Sequence, residues 1–305
     1  MTAKMREVAI IGAGPAGISA AIYLKRAGVD PLLLERGRVG GLLLNANLVE
    51  NYPGFPNGIE GKDLARLFGR QLRRWSIKVT RADVSKVSKD GARFRLLADG
   101  REFESRFLIV AAGTVPKRIS LKGIDSIPRG RILHEIADAP SDLEGGTFLI
   151  VGGSDAAFDY GLNIARRGGF AEIIFRGRKP TCLGLLLARA GRESRVRLFQ
   201  ETSILSVGMR NRRILMKCRS GGSGMELEGD CLLIACGREP DLGFLSPALR
   251  SKAAGLLGGD RRLYFVGDIR SGPSRQVGIA VGDGIAAAMD IARQIGKEDP
   301  HEDTG

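Results

Sequence analysis

The sequence contains few cysteines, and none of them belongs to a recognisable pair. The four thiols of this 305-residue chain are Cys182, Cys218, Cys231 and Cys236, and their spacing fits neither a CxxC motif nor a set of metal ligands. Cys231 and Cys236 lie five residues apart in an apolar run, so on a strand they would point to opposite faces. We therefore expect four reduced thiols buried as small apolar side chains, and no metal site.

Aromatic residues and long apolar runs are also scarce. Aromatic residues make up 6% of the chain and include one tryptophan, Trp75. No apolar run approaches the roughly 18 residues that a membrane-crossing helix requires, and the first residues lack the pattern of a signal peptide. The net charge of +13 is not accompanied by a recognised nucleic-acid-binding module. We expect a cytoplasmic protein that binds neither nucleic acid nor a membrane.

The positive charge is concentrated in one part of the chain. Residues 166–219 contain 14 lysines and arginines against three glutamates. This segment is either a solvated basic surface or a site for phosphate groups or for an acidic protein partner.

Two segments share the pattern strand, glycine turn, helix, strand, and they begin about 140 residues apart. Each is typical of the βαβ unit that opens a doubly wound domain. The sequence therefore predicts an α/β fold with two Rossmann-like dinucleotide-binding domains. The predicted strands are 8–11 and 32–35 in the first segment and 148–151 and 172–176 in the second, with helices that end near Ala27 and Arg167.

The first glycine turn has the chemistry of a dinucleotide site. Gly12 permits a tight turn, Gly14 lets the backbone approach a pyrophosphate, and Gly17 allows the helix to pack closely on the strand. Pro15 suits the first turn of a helix whose N-terminus faces the phosphates. Glu35 can accept hydrogen bonds from a ribose with free hydroxyls and would repel a 2′-phosphate. The ligand is therefore an unphosphorylated ADP moiety, as in FAD or NAD.

The second glycine turn differs at two positions. No acid corresponds to Glu35 there, and an arginine at that place favours the 2′-phosphate of NADP. Ser154 occupies the position of the second glycine, where a side chain would crowd the pyrophosphate. An NADP(H) site and a vestigial domain without ligand both remain open. The NADP-site candidates are Gly152, Gly153, Ser154, Asp155, Arg176 and Arg178.

With these turns placed, the chain resembles the low-molecular-weight thioredoxin reductase family nearly end to end. Six motifs occur in the order found in that family, and six in order are a far more specific signal than any one of them. They are Gly40-Gly41-Leu42, residues 49–55 (VENYPGF), residues 111–116 (AAGTVP), residues 236–240 (CGREP), Val266-Gly267-Asp268 and residues 275–280 (RQVGIA).

The resemblance implies FAD in the first domain and NADP(H) in a second domain inserted into it, and it implies a homodimer. The implied boundaries are 1–114 and 243–305 for the FAD-binding domain and 115–242 for the inserted NAD(P)-binding-like domain. The first βαβ segment and the family resemblance together give the candidate FAD-site residues. They are Gly12, Gly14, Pro15, Ala16, Gly17, Glu35, Arg36, Gly40, Gly41, Leu42, Asn51, Val84, Ala112, Gly113, Gly267, Asp268, Arg275, Gln276 and Val277.

The chain departs from this family at the cysteine pair that takes electrons from the flavin. The corresponding stretch, residues 130–140, contains no cysteine, and the positions of the family's cysteine pair correspond approximately to Glu135 and Asp138. Two carboxylates three residues apart are typical of a solvated helix face. Carboxylates cannot replace the attacking and resolving thiols of a disulfide relay. His134 in the same stretch is either a proton donor near the flavin or a histidine without a role.

These observations predict an FAD-dependent oxidoreductase that passes electrons from NADPH directly to an external acceptor. A ferredoxin-like protein, a quinone or another small molecule would suit that role. Two alternatives remain: an FAD enzyme with a reductant other than NADPH, and a flavin-bound binding or regulatory protein without turnover.

Overall fold

The computed structural model describes residues 5–254 and 261–298 of the chain. Within these residues no helix is long and apolar enough to cross a membrane. The strands are β1 Met5–Ile11, β2 Leu32–Glu35, β3 Val79–Arg81, β4 Val84–Asp90, β5 Arg93–Ala98, β6 Arg101–Val110, β7 Thr114–Pro116, β8 Ile132–Leu133, β9 Thr147–Val151, β10 Phe170–Ile174, β11 Val196–Phe199, β12 Thr202–Arg210, β13 Arg213–Ser220, β14 Ser223–Gly229, β15 Cys231–Ile234, β16 Arg238–Pro240 and β17 Leu263–Phe265. The helices are α1 Pro15–Arg26, α2 Gly61–Arg74, α3 Asp155–Arg166, α4 Gly184–Arg192, α5 Pro247–Arg250 and α6 Val277–Glu298.

The chain divides into two compact units, and each contains one of the two glycine turns. Unit 1 comprises residues 1–44, 49–115 and 239–305, and unit 2 comprises residues 45–48 and 116–238. The short segment 45–48 therefore belongs to unit 2 by its contacts, although its neighbours in sequence belong to unit 1. Strands β7 and β16 pair where the chain leaves one unit for the other.

Unit 1 contains a seven-stranded sheet in the order β3-β2-β1-β6-β5-β4, with β17 also paired to β6. Strands β1, β2, β3, β6 and β17 run parallel, whereas β4 and β5 form antiparallel pairs. Successive residues of β1 enter the two hydrophobic clusters on opposite faces of the sheet: Val8 and Ile10 join one, Ala9 and Ile11 the other. A parallel strand covered on both faces needs such a continuous apolar run.

Helices α1 and α6 pack together on one face of this sheet at close range. A Cβ added to Gly284 of α6 would lie 2.1 Å from the carbonyl oxygen of Ala16 in α1. Gly284 therefore serves helix packing. The helix begins at Val277, earlier than the start near Gly282 that the run of small residues in its sequence predicts. His301 and the rest of the polar tail after Glu298 lie outside the described residues.

Unit 2 is built on a five-stranded parallel sheet in the order β11-β10-β9-β15-β8. A three-stranded antiparallel sheet, β12-β13-β14, packs its apolar residues Ile214 and Met216 into a cluster with Leu149 and Leu232 of the parallel sheet. The strand order reverses direction between β9 and β15. In doubly wound sheets a ligand crevice lies at the carboxyl ends of the strands at this reversal.

Candidate cofactor-binding sites

The first glycine turn lies between β1 and α1 in unit 1, and two of its glycines are required by close backbone contacts. Gly12 has φ +102°, and a Cβ there would lie 2.3 Å from the carbonyl oxygen of Ala111. A Cβ on Gly17 would lie 1.9 Å from the carbonyl oxygen of Gly12. A Cβ on Gly14 would meet nothing within 4 Å. The space in front of the N-terminus of α1 is therefore open, as a pyrophosphate requires.

The carboxylate of Glu35 is held beside this turn by two backbone donors. Its Oε2 accepts a hydrogen bond from Ala13 N at 2.6 Å, and its Oε1 accepts one from Gly37 N at 2.7 Å. Each oxygen keeps a free lone pair that can accept from a ribose hydroxyl. The next residue, Arg36, forms an ion pair with Asp241 at 2.9 Å. The geometry fits an ADP moiety with free ribose hydroxyls.

Replacing Glu35 by arginine should weaken FAD retention at least tenfold. The substitution removes the carboxylate oxygens that accept from the backbone N–H groups of Ala13 and Gly37 and from the ribose, and each lost hydrogen bond to a charged group costs about 1.5–3 kcal/mol. Glu35→Gln should weaken retention less, because the amide keeps one acceptor oxygen. FAD occupancy after dialysis, measured from flavin absorbance, checks this ordering. Equal occupancy in all three proteins would contradict the ribose role of Glu35.

Other predicted FAD-site segments of unit 1 are brought together by hydrogen bonds across long stretches of sequence. Gly40 N donates to Ala13 O at 2.8 Å, which places the Gly40-Gly41-Leu42 motif beside the first turn. Asn51 Nδ2 donates to Gln276 Oε1 at 2.8 Å, so two predicted isoalloxazine neighbours 225 residues apart in sequence are in contact.

Further predicted FAD-site residues lie in loops, at the start of a strand and at the start of α6 in the same unit. Gly113 and Gly267 adopt left-handed φ values of +69° and +74°. A Cβ on Gly267 would lie 2.9 Å from the Cβ of Ala16, which places the Val266-Gly267-Asp268 motif beside α1. Val84 begins β4 and is buried, Ala112 and Arg275 are half-buried, and Val277 is the first residue of α6.

The second glycine turn, between β9 and α3 in unit 2, repeats the backbone of the first. Gly152 has φ +145°, and a Cβ there would lie 2.4 Å from the carbonyl oxygen of Ala235. Ser154 precedes α3 with φ −93° and ψ 174°, close to φ −79° and ψ −178° for Gly14. Serine therefore adopts this conformation without strain. The Ser154 side chain extends into the space that corresponds to the open space in front of Gly14. This side chain would therefore contact a bound ligand, and it does not disturb the fold.

The loop that follows β10 folds back over the second turn. Thr181 N donates to Gly153 O at 2.8 Å, and Leu183 N donates to the Asp155 carboxylate at 2.7 Å. Arg176 and Arg178, at the beginning of this loop, are exposed. Two cations thus follow the strand at the place where Glu35 ends β2 in unit 1, an arrangement that suits a phosphate.

Comparison with known proteins identifies the family. A family model described as pyridine nucleotide-disulphide oxidoreductase matches residues 6–284. The chain belongs to this family. It is a flavin-dependent NAD(P)H oxidoreductase, and FAD and NADPH are the cofactors that thioredoxin reductases in the family use.

Individual relatives agree with this assignment and with the predicted α/β fold. The thioredoxin reductase of Bacillus subtilis (strain 168) is 29% identical over 304 residues, covering 96% of this chain and 95% of the relative. The crystal structure of Lactococcus lactis thioredoxin reductase matches with a TM-score of 0.84 at 24% identity, covering 96% of this chain and 99% of that one. The bacillithiol disulfide reductase Bdr (YpdA) of Bacillus cereus matches with a TM-score of 0.74 at 18% identity, covering 95% and 100%.

Residues 130–140, the stretch without the redox cysteines, take part in a polar network within unit 2 of this oxidoreductase. Glu135 accepts hydrogen bonds from Asn45 Nδ2 at 3.1 Å and from Arg238 Nη2 at 3.0 Å, and Asn45 Oδ1 accepts one from Ala137 N at 2.9 Å. The expectation of a solvated helix face for Glu135 is therefore wrong, because its carboxylate is partly buried in an ion pair. His134 Nδ1 is buried and has no hydrogen-bond partner within the described residues.

The cysteines of the oxidoreductase are all free, but they are not all buried as expected. Cys218 is buried, Cys182 and Cys231 are half-buried, and Cys236 is exposed. Strand β15 ends at Ile234, so the alternation that would bury Cys236 no longer applies at its position. Cys236 stands at the carboxyl end of β15, where its Sγ lies 3.3 Å from Val151 O next to the second glycine turn.

Two residues near the network escaped the sequence analysis. Asp159, in the second turn of α3, accepts a hydrogen bond from Asn47 N at 2.8 Å. Burial raises the pKa of its carboxyl to about 6, although the bond from Asn47 and nearby arginines act in the opposite direction. The side-chain oxygen of Asn47 is buried, and none of the described residues offers it a hydrogen bond. The one feature of the sequence that could have indicated a role for Asp159 is that an acid occurs here in the amphipathic helix α3.

Replacing Asp159 by asparagine should stabilise the oxidoreductase by about 1–3 kcal/mol above pH 6. The Asp159 carboxyl releases its proton near pH 4 in the unfolded chain but only near pH 6 in the folded protein. The contribution of Asp159 to the free energy of unfolding therefore falls as the pH rises from about 4 to 6. An amide removes this loss, keeps an acceptor for Asn47 N and offers a donor to the unpartnered Asn47 oxygen.

Urea unfolding of both proteins between pH 4 and pH 8 measures this effect. The difference in unfolding free energy should grow from pH 4 to pH 6 and then remain constant. Asp125→Asn, at an exposed position of the same unit, is the matched control and should change little across the range. A variant that is less stable than the wild type at pH 7 would contradict the assignment.

Proposed function

We propose that this protein is an NADPH-dependent FAD oxidoreductase that delivers electrons directly to an external acceptor, without an internal dithiol. The observation that carries the proposal is that the family's cysteine pair is missing and its place is taken by a carboxylate with two partners. FAD, when bound, supplies the capacity to take two electrons from NADPH and to return them to an acceptor.

The four cysteines do not offer a substitute pair. All are free thiols, and burial raises the pKa of each of them, that of Cys218 to about 11. Disulfide exchange requires a thiolate with a second thiol to resolve the mixed disulfide. Thiols whose pKa values lie above the ordinary value of 9.0 carry little thiolate at neutral pH.

The proposal gives each glycine turn a separate task. In unit 1, the open N-terminus of α1 and the fixed Glu35 carboxylate bind and orient the ADP part of FAD. In unit 2, Arg176 and Arg178 attract the 2′-phosphate of NADPH, and the α3 N-terminus faces the pyrophosphate. His134, whose buried Nδ1 has no partner in the described part of the chain, is the candidate to hold a proton during turnover.

Anaerobic mixing with NADPH or NADH, followed through the flavin absorbance, tests the proposed function. Rapid bleaching with NADPH and slower bleaching with NADH is the expected result. A purified protein that is folded but takes up no FAD would reject the function altogether. The same proposal includes a homodimer, which sedimentation tests. It also includes an acidic carrier protein that docks on the basic surface of unit 2, which titration with such a carrier tests.

Ser154 favours a second candidate function. If its side chain excludes the pyrophosphate of NADPH, unit 2 is vestigial and FAD takes electrons from another reductant, or the flavin is bound without turnover. No bleaching by either nucleotide, together with full FAD occupancy, would favour this alternative over the first.

Replacing Arg176 by alanine should narrow the preference for NADPH over NADH about tenfold or more. The guanidinium pairs with the 2′-phosphate, and a charge-assisted hydrogen bond of this kind contributes about 1.5–3 kcal/mol. Rates of flavin bleaching at several nucleotide concentrations measure the effect. The matched variant Arg192→Ala changes an arginine in α4 of the same unit and should leave the preference unchanged. Equal use of NADPH and NADH by the wild type would contradict the role of Arg176.

A further inference from the structure

Asp283 lies in the second helical turn of α6, and its carboxylate bonds two groups of the loop that follows β17. Its Oδ2 accepts a hydrogen bond from Gly267 N at 3.0 Å, and its Oδ1 accepts one from Arg270 Nη1 at 3.0 Å. The side chain of Asp283 is only 15% exposed, so most of it is shielded from water. Charge-assisted hydrogen bonds of this kind are about twice as strong as neutral ones, so the carboxylate fixes the groups that it bonds.

The loop held by this carboxylate contains the Val266-Gly267-Asp268 motif. Gly267 adopts a left-handed φ of +74°, and a Cβ there would lie 2.9 Å from the Cβ of Ala16 in α1. The carbonyl oxygen of Gly267 accepts hydrogen bonds from Arg270 N at 3.1 Å and from Ser271 Oγ at 2.9 Å. The loop therefore packs against the first turn of α1, and hydrogen bonds hold it at both the N–H and the C=O of Gly267.

Helix α6 is itself fixed against the first turn of α1. Gly284 lies so close to Ala16 O that a Cβ on Gly284 would be 2.1 Å from this oxygen. The hydroxyl of Ser19 in α1 donates to Ala16 O at 2.9 Å and to Val281 O at 3.1 Å. Asp283 lies between Val281 and Gly284 in sequence. The close contact of the two helices thus sets the position of the Asp283 carboxylate relative to the N-terminus of α1.

Asp283 repeats on a second segment what Glu35 does at the first glycine turn. The carboxylate of Glu35 accepts from Ala13 N and Gly37 N and holds the backbone beside the N-terminus of α1. Asp283 holds another backbone N–H beside the same helix. The ion pair with Arg270 offsets the negative charge of Asp283, so this second acid adds little repulsion toward an anionic dinucleotide.

We propose that Asp283 is a positioning residue for FAD, because it holds the Gly267 peptide in the orientation that presents Asp268 to the cofactor. The inference rests on the assignment of the Val266-Gly267-Asp268 motif to the FAD site. Glycine in the left-handed region has few steric restraints of its own, so the orientation of this peptide depends on its hydrogen bonds. Without the carboxylate, the Gly267 N–H loses its acceptor and Asp268 moves. Asp283 acts through the loop and not through a contact with FAD.

Asp283→Ala tests the proposal and should raise the Kd of FAD about tenfold or more. Asp283→Asn keeps an oxygen that can accept from Gly267 N, so it should restore the Kd to within about threefold of the wild type. Asp290→Ala is the matched control, since it removes another carboxylate of α6, one that accepts from the Tyr264 hydroxyl at 2.6 Å. The control should change the Kd by less than about twofold.

Fluorescence titration of FAD-free protein gives the Kd values, and urea unfolding of the same preparations gives their stability. Both alanine variants should lose stability, because each removes a partly buried carboxylate with hydrogen-bond partners, but only Asp283→Ala should lose FAD affinity. If Asp283→Ala does not fold, Asp283→Leu and Asp290→Leu take the place of the alanine pair, because leucine removes the acceptors without leaving a cavity.

The outcomes separate the role of Asp283 from the FAD site itself. A folded wild-type protein that binds no FAD would overturn the assignment of the site, and the role of Asp283 with it. Wild-type binding of FAD, combined with equal Kd values for the Asp283 and Asp290 variants, would overturn the role of Asp283 alone. Equal loss of affinity in Asp283→Ala and Asp283→Asn would show that the site needs the charge beside Arg270 and not the bond to Gly267 N, which also overturns the proposal.

Discussion

Replacing Gly17 by alanine should remove FAD from the protein almost completely, with retention falling at least a hundredfold. The added Cβ would lie 1.9 Å from the carbonyl oxygen of Gly12 and 3.3 Å from the Cβ of Ala111. Both neighbours belong to the rigid junction of β1, β6 and α1, so α1 must move away from the sheet. That movement widens the turn and disrupts the packing of α1 against α6. We also expect a loss of about 2–4 kcal/mol in unfolding free energy, as is typical of overpacked cores.

Gly14→Ala separates the effect on the fold from the effect on the ligand. A Cβ at Gly14 meets nothing within 4 Å, so this variant should unfold like the wild type in the absence of FAD. Its FAD affinity should nevertheless fall, because the methyl group enters the space that the pyrophosphate needs. Urea unfolding of FAD-free protein and fluorescence titration with FAD measure the two effects. Unchanged FAD affinity in Gly14→Ala would mean that the phosphates bind elsewhere.

Ser154 in the second turn corresponds to Gly14 in the first, and its side chain affects a ligand without affecting the fold. Ser154 and Gly14 have nearly the same backbone angles, so the second turn folds with a side chain at this position. The third glycine position of that turn is Ala157, which is fully buried. Ser154→Gly should therefore leave stability nearly unchanged and act on the nucleotide alone. The two turns look alike in sequence, yet the structure distinguishes a glycine required by packing from one required by a ligand.

Much of the architecture could be predicted because it follows from local patterns. The apolar runs of β1 and β9 and the glycines that follow them indicate βαβ units without knowledge of distant contacts. The start of α6 was harder to predict, because Gly278 and Gly282 lower helix propensity and the benefit of Gly284 arises only from packing against Ala16. Cys236 was placed wrongly for a related reason: the alternation of a strand holds only up to its last residue.

The polar network of unit 2 could not be predicted from the sequence. Asn45 and Glu135 lie 90 residues apart, and Asn47 and Asp159 lie 112 apart. Nothing in the composition of residues 45–48 indicates that they belong to unit 2. A pair of carboxylates at i, i+3 spacing most often covers a solvated helix face, so the general expectation for Glu135 was the wrong one here. Only the fold brings Arg238 to Glu135 and converts a surface acid into a partly buried ion pair.

Electron transfer to disulfide substrates should be absent, whereas NADPH-dependent reduction of ferricyanide or quinones should be measurable. A dithiol relay needs a thiolate and a resolving thiol, and the place of that pair holds the Glu135 carboxylate bonded to Asn45 and Arg238. Reduction of a thioredoxin-like protein, followed with a thiol reagent, should therefore remain at the background rate. Under the same conditions ferricyanide should be consumed at two molecules for each NADPH, since it accepts one electron and NADPH supplies two.

Replacing all four cysteines makes this prediction decisive. Serine at the exposed Cys236 and alanine at Cys182, Cys218 and Cys231 should leave ferricyanide turnover within about twofold of the wild type, because no thiol lies on the proposed route. Cys218 packs in the core with Ile214 and Met216, so its replacement is expected to cost stability but not turnover. FAD occupancy and unfolding measured on the same preparation distinguish a folding defect from a catalytic one. A variant that keeps its FAD and its fold but loses electron transfer would show that one of these thiols carries electrons after all.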